Sequence, residues 1–336
     1  MKMRKSLLSV AVLLALSGAA LADSSSVKTV QNGSYNQLTA TQTAATGSTL
    51  SIEQRGDRNR AGLASFEVLQ TAQASQLSIL QNGDDNYVQA RQSGRNNTAG
   101  IQQTGNNFSG SIEQQGSSNT AKITQDTSTG YLSADILQFG IDGDPSVVHD
   151  NAARVTQSHS MNASASAGQF GSNSTATVQQ QYAVGSTAHA TQSGNQNLAS
   201  VSQTHVDATD ASVSQTGNNL TATGGQTWVQ SSRQAISQTG DFDTATARQH
   251  DGHDLKIDIR QQGVNNDVAV TQTGAYNEES LLQTGANNRA TVNQSGQGTG
   301  SGTDRNQVYL TQAGNGLTAN ITQAGGAGNF ATVTQQ

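Results

Sequence analysis

Glutamine returns along this chain at intervals of eleven or twelve residues. From Gln81 the series runs Gln92, Gln103, Gln114 and Gln125; from Gln261 it runs Gln272, Gln283 and Gln294. Counting Gln31, Gln192, Gln203 and their equivalents gives 26 anchors. Between anchors the residues follow Q-x-G-x-x-N-x-A-x-[VI]-x-Q. Gln283, Gly285, Asn288, Ala290, Val292 and Gln294 fill the pattern completely, as do Gln114, Gly116, Asn119, Ala121, Ile123 and Gln125. Asn, Ala, the branched residue and the closing Gln lie two apart, so in an extended strand all four point to one face. The alternation breaks only at x-Gly-x-x, where a tight turn calls for positive φ.

Each unit therefore reads as a strand of about seven residues and a turn of about four. Two units make a closed coil of about 22 residues, a period that marks a solenoid. The expected fold is all-β: a two-sheet parallel β-solenoid in a cross-β arrangement, strand-turn-strand-turn, of roughly 13 coils about 4.8 Å apart. Inward amides are costly unless each sits over its copy and donates N–H to the next C=O. That reasoning makes a structural ladder of Gln81, Asn86, Gln92, Asn97, Gln103, Gln114, Asn119, Gln125, Gln192, Asn197, Gln203, Gln272, Asn277, Gln283, Asn288 and Gln294. The turn glycines are Gly83, Gly94, Gly105, Gly116, Gly194, Gly274 and Gly285. One coil cannot fold alone, because its few apolar side chains do not offset the ordering of its backbone.

Composition agrees. Charged residues are 12 % and aromatics 4 % of 336, with no cysteine, against about 25 % charged residues in ordinary domains. Residues 1–22 read as a secretory signal: Lys2, Arg4 and Lys5, an apolar run from Leu7 to Leu16, then Ala20-Leu21-Ala22. The run is too short to span a bilayer and no later stretch is apolar enough, so no membrane span is expected. Removing the signal moves the net charge from -6 to -9. With no basic stripe, nucleic acid is not an expected partner. Residues 23–336 read as one repeat domain, with loop insertions at a corner of the coil near 55–69, 126–156 and 295–306. The only proline, Pro145, falls in the second of these.

No catalytic constellation is present: there is no G-x-S-x-G, no phosphate loop and no defensible carboxylate pair. No cofactor is expected. Asp142, Asp144, His149 and Asp150 fit no known calcium loop. His250 and His253, three apart in HDGHD, are the weak metal candidates. Tyr35, Tyr87, Tyr276 and Phe108 fall near turns and read as fillers of the corners between coils.

The pattern resembles the curlin repeat, S-x5-Q-x-G-x-x-N-x-A-x3-Q, of bacterial curli fibre subunits. Ser75, Gln81, Gly83, Asn86 and Gln92 fit it, with Val88 in place of Ala. Ser232, Gln238, Gly240, Ala245 and Gln249 fit it with Asp243 in place of Asn. The resemblance implies an extracellular functional amyloid of the biofilm matrix: a homopolymer, exported through an outer-membrane pore and nucleated by a related minor subunit. Curli major subunits look much shorter, and the Gly-rich leader of the family is replaced here by DSSSVKTV running into Gln31. Gln31 and Gln335 stand near the two ends of the expected mature chain, so both ends are expected to be uncapped and open to strand addition. Against this stand a monomeric secreted solenoid adhesin or ligand- or ice-binding module, and a minor nucleating subunit of the fibre. The outward residues before the anchors, such as Glu113, Thr124, Arg248 and Leu282, are too mixed for a regular ice face.

Overall fold

The computed structural model describes residues 24–62, 67–126, 130–139, 149–298 and 304–336, together with the backbone of 11–15. The described residues contain strands and turns and no helix. They fall into two compact units, Met1–Asn162 and Ala163–Gln336. Each is a β-solenoid of two parallel sheets, with about 13 coils in all.

In the first unit one sheet holds β1 (Ala11–Ala15), β3 (Gln37–Gln42), β5 (Arg60–Ala61), β6 (Val68–Gln73), β8 (Tyr87–Arg95), β10 (Phe108–Ser117) and β12 (Leu132–Phe139). The other holds β2 (Ser26–Asn32), β4 (Thr49–Arg55), β7 (Gln76–Asn82), β9 (Thr98–Thr104), β11 (Thr120–Asp126) and β13 (Ala152–Ser158). In the second unit β14 (Ala163–Ser172), β16 (Thr187–Asn195), β18 (Asp210–Asn218), β20 (Arg233–Asp241), β22 (Lys256–Val264), β24 (Asn277–Ala286), β26 (Asn306–Asn315) and β28 (Phe330–Gln335) form one sheet. The facing sheet is β15 (Thr175–Val184), β17 (Leu198–Asp207), β19 (Thr221–Gln230), β21 (Thr244–His253), β23 (Asp267–Ala275), β25 (Arg289–Gln297) and β27 (Thr318–Ala324).

Within each unit a strand pairs with the strand two along in sequence, or three where β5 and β6 share one place. Registers put like on like: Ala188 beside Ala211, Gln192 beside Gln215, Gln215 beside Gln238. The coil is 22 residues from Gln81 to Gln103 and 23 from Gln192 to Gln215. Alternation along the strands gives a buried row and a solvent row; β10 reads buried-intermediate throughout its length. The buried rows are a thin apolar seam, Leu50, Ile52, Leu77 and Ile79 in the first unit and Val178, Val201, Ile236 and Ile259 in the second, flanked by buried Gln and Asn. A seam this narrow cannot close on itself, and only stacking keeps water from its edges.

The insertions behave differently from simple corner loops. Near 55–69 the insertion falls in mid-strand: Leu38 pairs with Ala61 and Ala40 with Val68, so six residues of sequence separate two positions that one residue separates in β3. Ala61 and Val68 are both buried, so the seam continues on either side of residues 63–66. The stretch 126–156 contains a complete coil strand, β12, in register with β10. Residues 63–66, 127–129, 140–148 and 299–303, which hold the centres of the three expected insertions and include Pro145, lie outside the described residues, as does most of the expected signal segment.

The turns explain the glycines. Gly240 has φ of 132°, and a Cβ built on it would lie 1.8 Å from the carbonyl oxygen of Gly263 one coil on. Stacked turns approach so closely that no side chain fits between them, and φ itself disfavours one. Gly225, inside β19, has no atom closer than 4.0 Å to an added Cβ and no positive φ. Gly240→Ala is expected to destabilise the chain by more than about 1 kcal/mol, and Gly225→Ala to leave it unchanged or slightly stabilised. Denaturant midpoints followed by far-UV circular dichroism check the pair.

Candidate functional site

The sequence supplies no catalytic centre to look for, so the candidate functional feature is the set of inward amide columns. The strands place them. Each Gln sits at the last inward position before a turn, where a parallel register brings its copy one strand spacing away.

In the first unit one column runs Gln31, Gln54, Gln81, Gln103, Gln125, Gln157, each Nε2 donating to the next Oε1 at 2.6 to 3.0 Å. A second runs Gln42, Gln70, Gln92, Gln114, Gln138 at 2.8 to 3.1 Å. In the second unit Gln169, Gln192, Gln215, Gln238, Gln261, Gln283, Gln312 and Gln335 form one column at 2.7 to 3.0 Å. Gln180, Gln203, Gln226, Gln249, Gln272, Gln294 and Gln323 form the other at 2.8 to 3.1 Å. All the bonds in a column point the same way, so each column carries a polarity along the stack.

The second N–H of these amides has a separate partner that spacing alone does not reveal. Gln103 Nε2 also donates to the Tyr87 carbonyl, Gln203 to Thr187 and Gln272 to Lys256, at 3.1, 2.9 and 2.8 Å. Those carbonyls lie on the facing sheet, sixteen residues away in each case. One side chain thus ties a coil to its neighbour and ties the two sheets of its own coil together.

Most of the inward Asn residues act otherwise than amide on amide; in the run Asn277, Asn306 and Asn329 the amides do stack, Asn306 Nδ2 donating to Asn277 Oδ1 at 2.9 Å and Asn329 Nδ2 to Asn306 Oδ1 at 3.0 Å. Asn97 Nδ2 donates to the Gly116 carbonyl at 2.9 Å and to Ser93 O at 2.8 Å, and its Oδ1 accepts from Asn119 N at 3.0 Å. Asn86 and Asn197 clasp Gly105 O and Gly217 O, and their Oδ1 atoms accept from Phe108 N and Leu220 N. Asn288 clasps Gly314 O, while Asn277 lies 3.5 Å from Gly296 O and bonds Thr273 O at 2.6 Å. Asn119 donates to Gln115 O and accepts from Asn151 N. One methylene shorter than Gln, Asn reaches the backbone of the turn, as at Asn97 and Asn288, and meets its own copy in the run from Asn277 to Asn329. Serine serves the same backbone N–H: Ser75 Oγ accepts from Asn97 N and Ser232 Oγ from Leu255 N. The Ser that opens the S-x5-Q pattern is therefore the clasp of the preceding turn.

Gly83, Gly94, Gly105, Gly116, Gly194, Gly274 and Gly285 all have positive φ. So does the residue just before the clasp: Asp85, Asn96, Asn107, Phe242, Tyr276 and Asn287 among others. That second left-handed position follows no residue type closely enough to be read from sequence. Tyr35 occupies one and is 68 % exposed, while Phe108 replaces an Asn and is fully buried. A further set of rings stacks at one turn of the second unit, Tyr182 on His205 with centroids 4.5 Å apart and His205 on Trp228 at 3.8 Å.

The ionisable groups are mostly exposed pairs. Asp85 takes two bonds from Arg58 at 2.7 Å, which hold its carboxyl below the usual range. Burial works against ionisation of Glu278, but the Lys256 bond at 2.7 Å, with Gln307 and Arg305, outweighs it and lowers its pKa. Burial raises Asp135, Asp243 and, most strongly, Glu279. His250 and His253 each pair with the following aspartate, Asp251 at 3.1 Å and Asp254 at 3.0 Å. His149 does the same with Asp150 at 3.0 Å. Among the described residues no group of three His, Asp or Glu side chains is arranged to hold a metal, and Asp142 and Asp144 lie outside them. No helix among them is long and apolar enough to cross a membrane.

Compared with known proteins, the chain matches the family model of the curlin associated repeat at residues 83–108, 94–126 and 263–296. No curated protein matches it. The matched stretches cover coils of both units.

The columns predict a specific cost. Gln238 accepts from Gln215 at 2.8 Å and donates to Gln261 at 2.8 Å and to Thr221 O at 3.1 Å. Gln238→Leu strands all three partners, each a buried polar group worth about 1–3 kcal/mol when orphaned. Unfolding free energy is expected to fall by roughly 3 kcal/mol or more, against a change within about 0.5 kcal/mol for Ser237→Ala on the solvent row. Denaturant titration of the two variants measures the difference.

Proposed function

We propose that this carrier of curlin associated repeats is a secreted structural subunit that assembles into curli-like cross-β fibres of the extracellular matrix. One observation carries the reading. The amides of a coil are satisfied chiefly by the same residues of the next coil, and the bonds have one direction. A coil presented by a second copy of the chain offers the same donors and acceptors at the same spacing. Stacking between molecules therefore needs no chemistry beyond that used within one. The repeat match at residues 83–126 and 263–296 supports a curli-like structural role.

In this reading residues 1–22 direct export, the partner is a homopolymer, and a related minor subunit and an outer-membrane pore serve nucleation and secretion. The columns that contain Gln81, Gln103, Gln203 and Gln283 fix register within the chain, and continued from one copy to the next they would fix it between copies. Adhesion and aggregation then follow from a polymer that displays its solvent rows many times over. Catalysis has no part in it. The exposed rings of Tyr182 and Trp228 favour a second reading, a monomeric adhesin that binds through the stacked turn.

Incubated at micromolar concentration, the purified mature chain is expected to form unbranched fibres. Their diffraction should show a meridional reflection near about 4.8 Å and an equatorial one near about 10 Å. Fragmented fibres should shorten the lag of fresh protein. A rod that stays monodisperse for days under these conditions refutes assembly and leaves the adhesin reading standing.

A further inference from the structure

In the second unit the seam position that carries Ala elsewhere holds Glu279. Its neighbours in register are Ile257 on β22 and Val308 on β26. The side chain is 0 % exposed, and neither carboxylate oxygen has a hydrogen-bond partner. A carboxylate in that setting has no compensating interaction, whereas a neutral acid has a far smaller desolvation cost.

None of the surrounding basic groups pairs with it. On its own strand Glu278 points to the solvent row and binds Lys256 of β22 at 2.7 Å. Arg260 of β22 is paired with Asp258 at 3.1 Å. Arg289 of β25 pairs with Asp267 of β23 at 3.5 Å, both on the solvent row. On β26 the titratable side chain is Tyr309, also on the solvent row, and Arg305 just before the strand lies 5.9 Å over the Tyr276 ring. The inward residues of the facing strands, Val268, Val270, Ala290 and Val292, are buried and carry no charge. After burial itself, the negative charge of Asp258 also opposes ionisation of Glu279.

We propose that Glu279 makes the solenoid of the second unit an acid-stabilised fold, whose coil closes on the protonated side chain and loosens when that side chain ionises. The direction follows from proton linkage. Below about pH 4.3, the ordinary glutamate value, folded and unfolded chains both hold the proton. Above it the unfolded chain releases the proton while the buried site retains it. Stability therefore falls by about tenfold in the folded-to-unfolded ratio per pH unit. The fall continues until Glu279 ionises in the fold as well. For a fibre subunit, the same group would make the coil easiest to close in mildly acidic surroundings.

The test compares denaturant midpoints of the full mature chain from pH 4.5 to 8.5, using wild type, Glu279→Gln and Glu279→Ala. Glu279→Ala installs the residue that the repeat normally carries there. The proposal expects the wild-type midpoint to fall as pH rises and both variants to lose about one proton's worth of that slope. Glu279→Ala should exceed wild type in stability by tenfold or more at the alkaline end. Asp243, raised in the same direction, is present in all three chains and drops out of the comparison. Equal slopes in wild type and Glu279→Ala would overturn the proposal. So would failure of Glu279→Ala to fold, since that would mean the carboxyl is needed rather than tolerated.

Discussion

A primary amide buried in a protein has two N–H donors and one carbonyl to satisfy. That requirement organises the whole chain. A Gln column satisfies it only if every coil puts its Gln at the same height and azimuth, one strand spacing from the last. Once that is fixed, strand direction, register and turn position are fixed too. The insertions show how strong the constraint is. Gln125 and Gln157 are thirty-two residues apart, ten more than the ordinary coil of that unit, yet their amides meet at 2.9 Å. Gln283 and Gln312 meet at 2.7 Å across twenty-nine. The column is preserved across the extra length, and the entropic cost of closing a longer connection grows only slowly.

Much of this is visible in the sequence because it depends on identity at fixed spacing. The inward face follows from the two-residue alternation of Asn119, Ala121, Ile123 and Gln125. The turn follows from Gly116. What is not visible depends on direction in space rather than on spacing. Nothing in the pattern says that Gln103 also bonds Tyr87 O, because that contact crosses between sheets whose separation the chain does not encode locally. The Asn positions look like a second amide ladder, and only the length of the side chain decides that Asn97 instead holds the turn of the next coil. The left-handed residue before each clasp escapes notice because Asp85, Asn96, Phe242 and Tyr276 share no chemistry. The steric demand at Gly240 is met by one residue type, whereas the demand one step before the clasp is met by several.

The consequences for role come from how little each coil has of its own. Its apolar seam is two or three residues wide, and its polar groups are satisfied by neighbours. Stability is then a property of the stack, shared between coil and interface as in other repeat proteins. Such a chain is poorly suited to hold a preorganised reaction centre, which needs rigid support from several directions. It is well suited to repetition. The solvent rows, which no column constrains, are free to vary, and they vary here among Thr, Ser, Arg, Asp and Leu without disturbing the register.

The seam tolerates departures only where the facing sheet makes room. Gln234 occupies an Ala position in β20, and opposite it Gly224 replaces the branched residue. A Cβ on Gly224 would lie 2.7 Å from Gln234 Oε1. A large residue is thus matched by a missing side chain, and seam volume is held nearly constant, as close packing requires. Gly110 shows the reverse balance: it stands where Ala is usual, and an added Cβ would press on Ile101 Cγ2 at 3.1 Å and Gln103 Nε2 at 3.3 Å. Glu279 stands between Ile257 and Val308 in register, and no residue answers its polarity. A mismatch in size can be absorbed across the seam because a neighbour can shrink. A mismatch in charge has only one relief within so narrow a core, which is the proton.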